Sequence, residues 1–314
     1  MGSRLVPNGR CVRVFRPLAA GASVVSASPP PNPLPQAGGG VSAAIATAVA
    51  QFTFSATARL DAELLMAHAL GVERNAILLD PDRYTVPETF PALVDRRLRH
   101  EPIAYITGTR GFWSIDLAVG PGALVPRADS ETLLIAAQAH FSGRAPATVL
   151  DLGTGPGTLL LAALDEWPAQ GLGVDYSPQA LAYARANAAT LSMTGRTHFI
   201  RGSWASAIVG QFDLILANPP YIAIDEQLPP EVHAHEPHAA LFAGADGLDD
   251  YRILAEQLPA LIAPGGAAVI EIGSTQAVPV TTLLEAQGLH VALHHDYGNN
   301  PRALVATTGI RANP

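Results

Sequence analysis

The sequence predicts an α/β fold: a doubly wound, seven-stranded, mostly parallel sheet, preceded by a small N-terminal helical domain and a connecting β-hairpin. Three observations lead there. From residue 129 onward, short apolar runs alternate with helix-length segments, as βαβ units require. Before that, residues 41–104 repeat apolar side chains at spacings of three and four. Between the two, Gly108, Gly111, Pro121 and Gly122 bracket alternating apolar residues, which reads as a hairpin over 105–128.

Taken in order, residues 1–40 carry Arg4, Arg10, Arg13 and Arg16, no acid, and then "ASPPPNPLPQAGGG". Such a Pro- and Gly-rich run cannot pack, so a disordered tail and linker is expected, with a targeting segment as the alternative. In "ATARLDAELLMAHALGV" the spacing puts Leu60, Leu64 and Met66/Ala67 on one inward helical face, and "FPALVDRRLRH" repeats the pattern. Residues 129–314 then supply seven strand candidates: "ATVLDLG", "GLGVDYS", "THFIRGSW", "FDLILANPPY", "GGAAVIEIG", "LHVALHHDYG" and "ALVATTG". Helical segments separate most of them, including "PQALAYARANAATL" with proline in its first turn.

The 314 residues include 48% hydrophobic and 15% charged side chains, enough apolar material for a large core. A formal charge of −8 gives no chain-wide attraction to nucleic acid. All 19 basic residues are arginine, and the one cysteine, Cys11, lies in the tail. A disulfide framework and a cysteine-based metal site are therefore excluded from the folded part, and a reducing cytoplasm is expected. No apolar run reaches the roughly 18 residues of a membrane-spanning helix.

In such sheets ligands bind at the carboxyl ends of the strands. "VLDLGTGPG" puts Asp151, Gly153, Thr154, Gly155 and Gly157 where a strand turns into a helix, so that backbone can approach a ligand closely. A dinucleotide fingerprint would need glycine at 158, where the chain has Thr158. Asp175, twenty residues after Gly155, suits ribose hydroxyls with either kind of cofactor. The loop alone does not choose between them.

"FDLILANPPYIA" points further. Two prolines end the strand, and Asn218 falls on the same sheet edge as Gly153 and Asp175. The Asn218 side-chain oxygen and the Pro219 carbonyl can each accept one N–H of a planar NH2 group, and Tyr221 offers a face for it to stack on. The stiff Pro219–Pro220 turn presets both acceptors. That arrangement suits methylation of an amide or amine nitrogen, whose delocalised lone pair needs alignment rather than a charged base.

These motifs resemble those of the class I S-adenosylmethionine-dependent methyltransferases, Rossmann-like enzymes, and within them the glutamine methyltransferases of peptide-chain release factors. The similarity runs from about 56 to 308, through "ARLDAELLMAHALGV", "RRLRHEPIAYITGTRGFWSIDLAVGPGALVPRADSETL", "LDLGTGPG", "NPPY", "HEPHAALFAGADGLDDYR", "EIG" and "DYGNNPRALVA". It implies methyl transfer to the glutamine of a Gly-Gly-Gln loop, S-adenosylhomocysteine as product, no metal, no membrane, no stable nucleic-acid binding and a monomer. It also implies that Asp151, Gly153, Thr154, Gly155, Gly157, Asp175 with Tyr176, Ser203 with Trp204, Asn218 and Arg127 hold the cofactor. Asp175 would take its ribose and Trp204 its adenine. Asn218, Pro219, Pro220 and Tyr221 would bind the substrate, with Pro126 beside Arg127 at the entrance.

Three positions depart from the family pattern. Ser203 replaces the usual acid before Trp204, Ala128 replaces a proline in "PRADSE", and Pro156 removes a donor from the glycine loop. "HAHEPH" is read as a solvated histidine cluster in which Glu236 and Pro237 shape the substrate loop, rather than as a metal site. Arg96, Arg97 and Arg99 are read as a solvated helix face. Competing substrates are a ribosomal-protein glutamine or an exocyclic amine of a nucleic-acid base. A non-catalytic binding module is the competing class.

Overall fold

A computed structural model describes residues 40–309; the expectations for residues 1–39, including Cys11, lie outside it. The described residues begin with α1 (Val41–Gln51), α2 (Ala58–Leu70), α3 (Arg74–Leu79), α4 (Phe90–Leu98) and α5 (Ile103–Thr107). Phe52, Leu65, Met66, Ile77, Phe90 and Ile106 form their shared core. Gly71 ends α2 at φ +65°, a left-handed conformation that glycine adopts without a Cβ clash.

The inward face of α2 differs from the one its spacing predicts. Met66 and Ala67 are buried as expected, but Leu60 is 40% exposed and Leu64 only partly covered, and Ala62 and Leu65 take the inward positions instead. Charge pairing turns the helix: Asp61 and Glu63 are themselves buried, Asp61 against Arg97 and Glu63 against Arg59 and Arg74. Arg97 likewise corrects the solvated-face reading. Its guanidinium bonds Asp61 at 2.9 Å, Glu231 at 2.6 Å and the Glu101 carbonyl at 3.0 Å, and stacks 5.2 Å from the Phe54 ring. Arg96 pairs with Glu101, so of the three only Arg99 is exposed.

Strands β1 (Thr109–Phe112) and β2 (Ile115–Ala118) form an antiparallel hairpin. It is shorter than expected over 105–128, because Tyr105–Thr107 complete α5 and residues 119–127 leave the pair as a loop. That loop is pinned by the Tyr105 hydroxyl, which donates to the Ala123 carbonyl at 2.6 Å.

After α6 (Glu131–Phe141) come β3 (Thr148–Leu152), α7 (Thr158–Glu166), β4 (Gln170–Asp175), α8 (Pro178–Thr190), β5 (Thr197–Arg201) and β6 (Phe212–Ala217). The remainder is α9 (Pro230–His235), α10 (Asp249–Leu261), β7 (Ile262–Glu271), α11 (Ala277–Glu285), β8 (Leu289–His295) and β9 (Pro301–Thr308). The seven-stranded sheet has the order β5-β4-β3-β6-β7-β9-β8, with β9 alone running opposite to the other six. Both faces are covered, as the apolar runs predict. Val149 and Leu214 point into the core with Leu133, Leu160 and Ala163, while Leu150 and Ile215 point into the other with Leu254, Leu258 and Leu284. Strand order reverses between β3 and β6, so a crevice opens at their carboxyl ends.

Candidate active site

The register pairs Leu152 of β3 with Ala217 of β6 and with Val174 of β4. One residue further on, Gly153, Asn218 and Asp175 therefore leave the sheet side by side. They line a cavity of about 310 Å³ together with Asp151, Thr154, Gly155, Tyr176, Ser203, Trp204, Arg127 and Pro220. That volume lies at the lower end of those usual for small-molecule sites. Pro219 and Tyr221 line a narrow second pocket, which shares Asn218 and Arg127 with the first. Gly157 lies on neither. It caps α7 at φ +87°, where a Cβ would come within 2.8 Å of Leu161, so this glycine serves helix packing.

Asp151 is fully buried. Its Oδ2 accepts the Thr154 hydroxyl at 2.6 Å and the Leu160 amide at 3.2 Å, while Oδ1 has no partner. Burial pushes its carboxyl up to about 7, against the lowering effect of those two bonds. A buried, unpartnered carboxylate oxygen in this position fits the ammonium of an amino-acid-like ligand. Asp175 is held in place: Oδ2 accepts the Gly155 amide at 2.7 Å and Oδ1 the Ser177 amide at 2.8 Å. Across the loop, the Trp204 ring lies against Gly153, where a Cβ would stand 3.1 Å from it. The residues present thus fit a nucleoside carrying an amino-acid chain.

A stability prediction follows from Asp151. The unfolded carboxyl loses its proton near 3.8, whereas the folded one keeps it to about 7. Within that window the native state binds more protons, so this group's contribution falls as pH rises. Asp151→Asn removes the titration. Relative to wild type, the ligand-free variant gains stability as pH rises from 4 to 7, on the order of 4 kcal/mol at the plateau above that window, measured by urea unfolding across that range.

Asn218 donates its side-chain amide to the Ser130 hydroxyl at 3.2 Å, which leaves Oδ1 to accept from a substrate. Ser130 in turn bonds Glu271, whose carboxyl burial pushes up to about 7, opposed by Ser130, Arg302 and Arg127. Ser130 and Glu271 lie within "PRADSE" and "EIG", but neither carries a motif signal of its own that marks it as a site residue. The turn beyond Asn218 is clamped by Gln276, which donates to the Tyr221 and Gly247 carbonyls at 2.9 and 3.2 Å. Asn187 of α8 is a further unforeseen support, tying the Pro156 carbonyl of the glycine loop to Ala118 of β2.

Arg127 pairs with Glu236 at 3.3 Å, not with Asp129 or Glu131, and Glu236 also accepts the Val125 amide at 3.1 Å. Through Glu236 the loop after α9 is fastened to the cavity wall. Of the neighbouring histidines, His235 bonds the Arg99 carbonyl and His238 that of His233.

The PrmC N-terminal domain model matches residues 43–108, and the methyltransferase small domain model residues 127–234. A release factor glutamine methyltransferase of Rhodospirillum rubrum is 47% identical over 255 residues, covering 79% of this chain and 78% of that protein. The one from Caulobacter vibrioides is 42% identical over 236 residues, covering 73% and 82% respectively. The chain belongs to the release factor glutamine methyltransferase family. A more distant member from Yersinia pestis, 38% identical, is covered over 98% of its length. Among the described residues, no helix is long and apolar enough to cross a membrane.

Proposed function

We propose that this protein transfers a methyl group from S-adenosylmethionine to the side-chain amide nitrogen of the glutamine in the Gly-Gly-Gln loop of a peptide-chain release factor, as a cytoplasmic monomer that binds no nucleic acid stably. The observation that carries the reading is Asn218. It stands on the same cavity as Asp151 and Asp175, with its NH2 engaged by Ser130 and its Oδ1 left to accept.

Asp151 binds the amino end of the cofactor, Asp175 its ribose, and Trp204 its adenine. When bound, S-adenosylmethionine supplies an electrophilic methyl on a cationic sulfur. Asn218 Oδ1 and the Pro219 carbonyl each accept one N–H of the glutamine amide, which fixes the nitrogen's orientation. Tyr221, whose phenol burial keeps neutral, lies beside the amide plane. As the N–C bond forms the S–C bond breaks, its electron pair stays on the sulfur to leave the neutral thioether, and the amide nitrogen releases one proton to water. The energetic advantage is alignment in a preset site.

Incubation with methyl-labelled cofactor and a release factor tests the proposal. Label enters the intact factor and not its Gln→Ala loop variant, and ribosomal RNA and ribosomal proteins stay unlabelled. Equal labelling of the two factors would refute it.

A further inference from the structure

Trp204 sits in a left-handed conformation, φ +48°, and lines the cavity. The six-membered ring lies against Gly153, and the opposite edge donates Nε1–H to Asp250 Oδ1 at 2.9 Å. Asp250 belongs to the first turn of α10, yet it lines the same cavity as Gly202, Ser203 and Trp204. Its other carboxylate oxygen has no partner among the described residues. Support of the helix dipole is a poor account of this side chain. Asp249 fills that role from solvent, its carboxylate exposed and paired with Arg252 at 2.8 Å. Asp250 is half-buried, and desolvation raises its carboxyl above the usual range.

An adenine seated by Trp204 presents an exocyclic NH2, two donors that need an acceptor. Ser203 carries no charge where the family pattern has an acid. We propose that Asp250 accepts the adenine amino group with its free carboxylate oxygen, taking over from residue 203 the discrimination of adenine from other purines. The inference rests on reading the larger cavity as the S-adenosylmethionine site.

Calorimetry with S-adenosylhomocysteine and with its 6-oxo counterpart, S-inosylhomocysteine, tests it. The 6-oxygen is an acceptor and faces a carboxylate unfavourably, so wild type binds the adenosyl compound at least about 10-fold more tightly. In Asp250→Asn, Oδ1 still accepts from Trp204 while the new NH2 opposes an amino group and suits a 6-oxygen. The preference therefore collapses or inverts. Adding Ser203→Asp to that variant restores it. Equal binding of the two compounds by wild type overturns the proposal without any variant, and so does an unchanged preference in Asp250→Asn. Failure of wild type to bind either compound overturns the reading of the cavity itself, a result distinct from both.

Discussion

Asn218→Ala lowers turnover about 10²–10³-fold, the loss typical of removing one preset hydrogen-bonding group from a transition state. Cofactor affinity is little changed, because the groups that fit the amino end and the ribose, Asp151 and Asp175, are anchored by Thr154, Leu160, Gly155 and Ser177 and not by Asn218. Single-turnover rates with saturating release factor, set beside calorimetric cofactor binding, separate the two effects. Asn218→Asp is a sharper version. Its carboxylate can still accept from a substrate, but it puts an oxygen where Asn218 now donates to Ser130, beside the buried Glu271. If Asn218→Ala retained wild-type turnover, the amide-positioning role would be lost.

The second large effect concerns folding. Arg97→Ala removes the cation that neutralises Asp61 in the interior of the helical domain and leaves its carboxylate, 4% exposed, with only the Ser55 and Thr57 hydroxyls. Breaking a buried pair from one side typically costs about 3–5 kcal/mol, more than exposed pairs such as Arg252 with Asp246 contribute. The expected result is a lower urea midpoint. In Arg97→Met/Asp61→Asn most of the loss is recovered, since no buried charge is left unpaired and the carboxylate of Glu231, 35% exposed, is hydrated instead. A single-variant loss below about 1 kcal/mol would mean that water reaches Asp61.

Much of this was legible in order along the chain. Each of the seven strands occupies an apolar run that the sequence marks, and "NPPY" and "LDLGTGPG" fall at the carboxyl edge because parallel βαβ units place successive strand ends there. What escaped the sequence joins residues far apart in it. Ser130 and Asn218 are 88 positions apart, Trp204 and Asp250 46, and Arg97 and Glu231 134. Periodicity carries no signal for such pairs. It misled at Leu60 and at Arg97 for one reason: hydropathy patterns treat charge as solvent-facing, and here arginine carries carboxylates into the core.

Strand order also bears on how the cavity comes into being. Val149 pairs with Gly171 on one side and with Leu214 on the other, separations of 171 − 149 = 22 and 214 − 149 = 65 residues. Closing the longer loop costs about 1 kcal/mol more chain entropy than the shorter. The wall bearing Asp151 and Asp175 draws on near neighbours in the chain, while the wall bearing Asn218 waits on the wider closure. The two halves of one cavity thus carry unequal kinetic burdens, and the half that bears Asn218 carries the heavier.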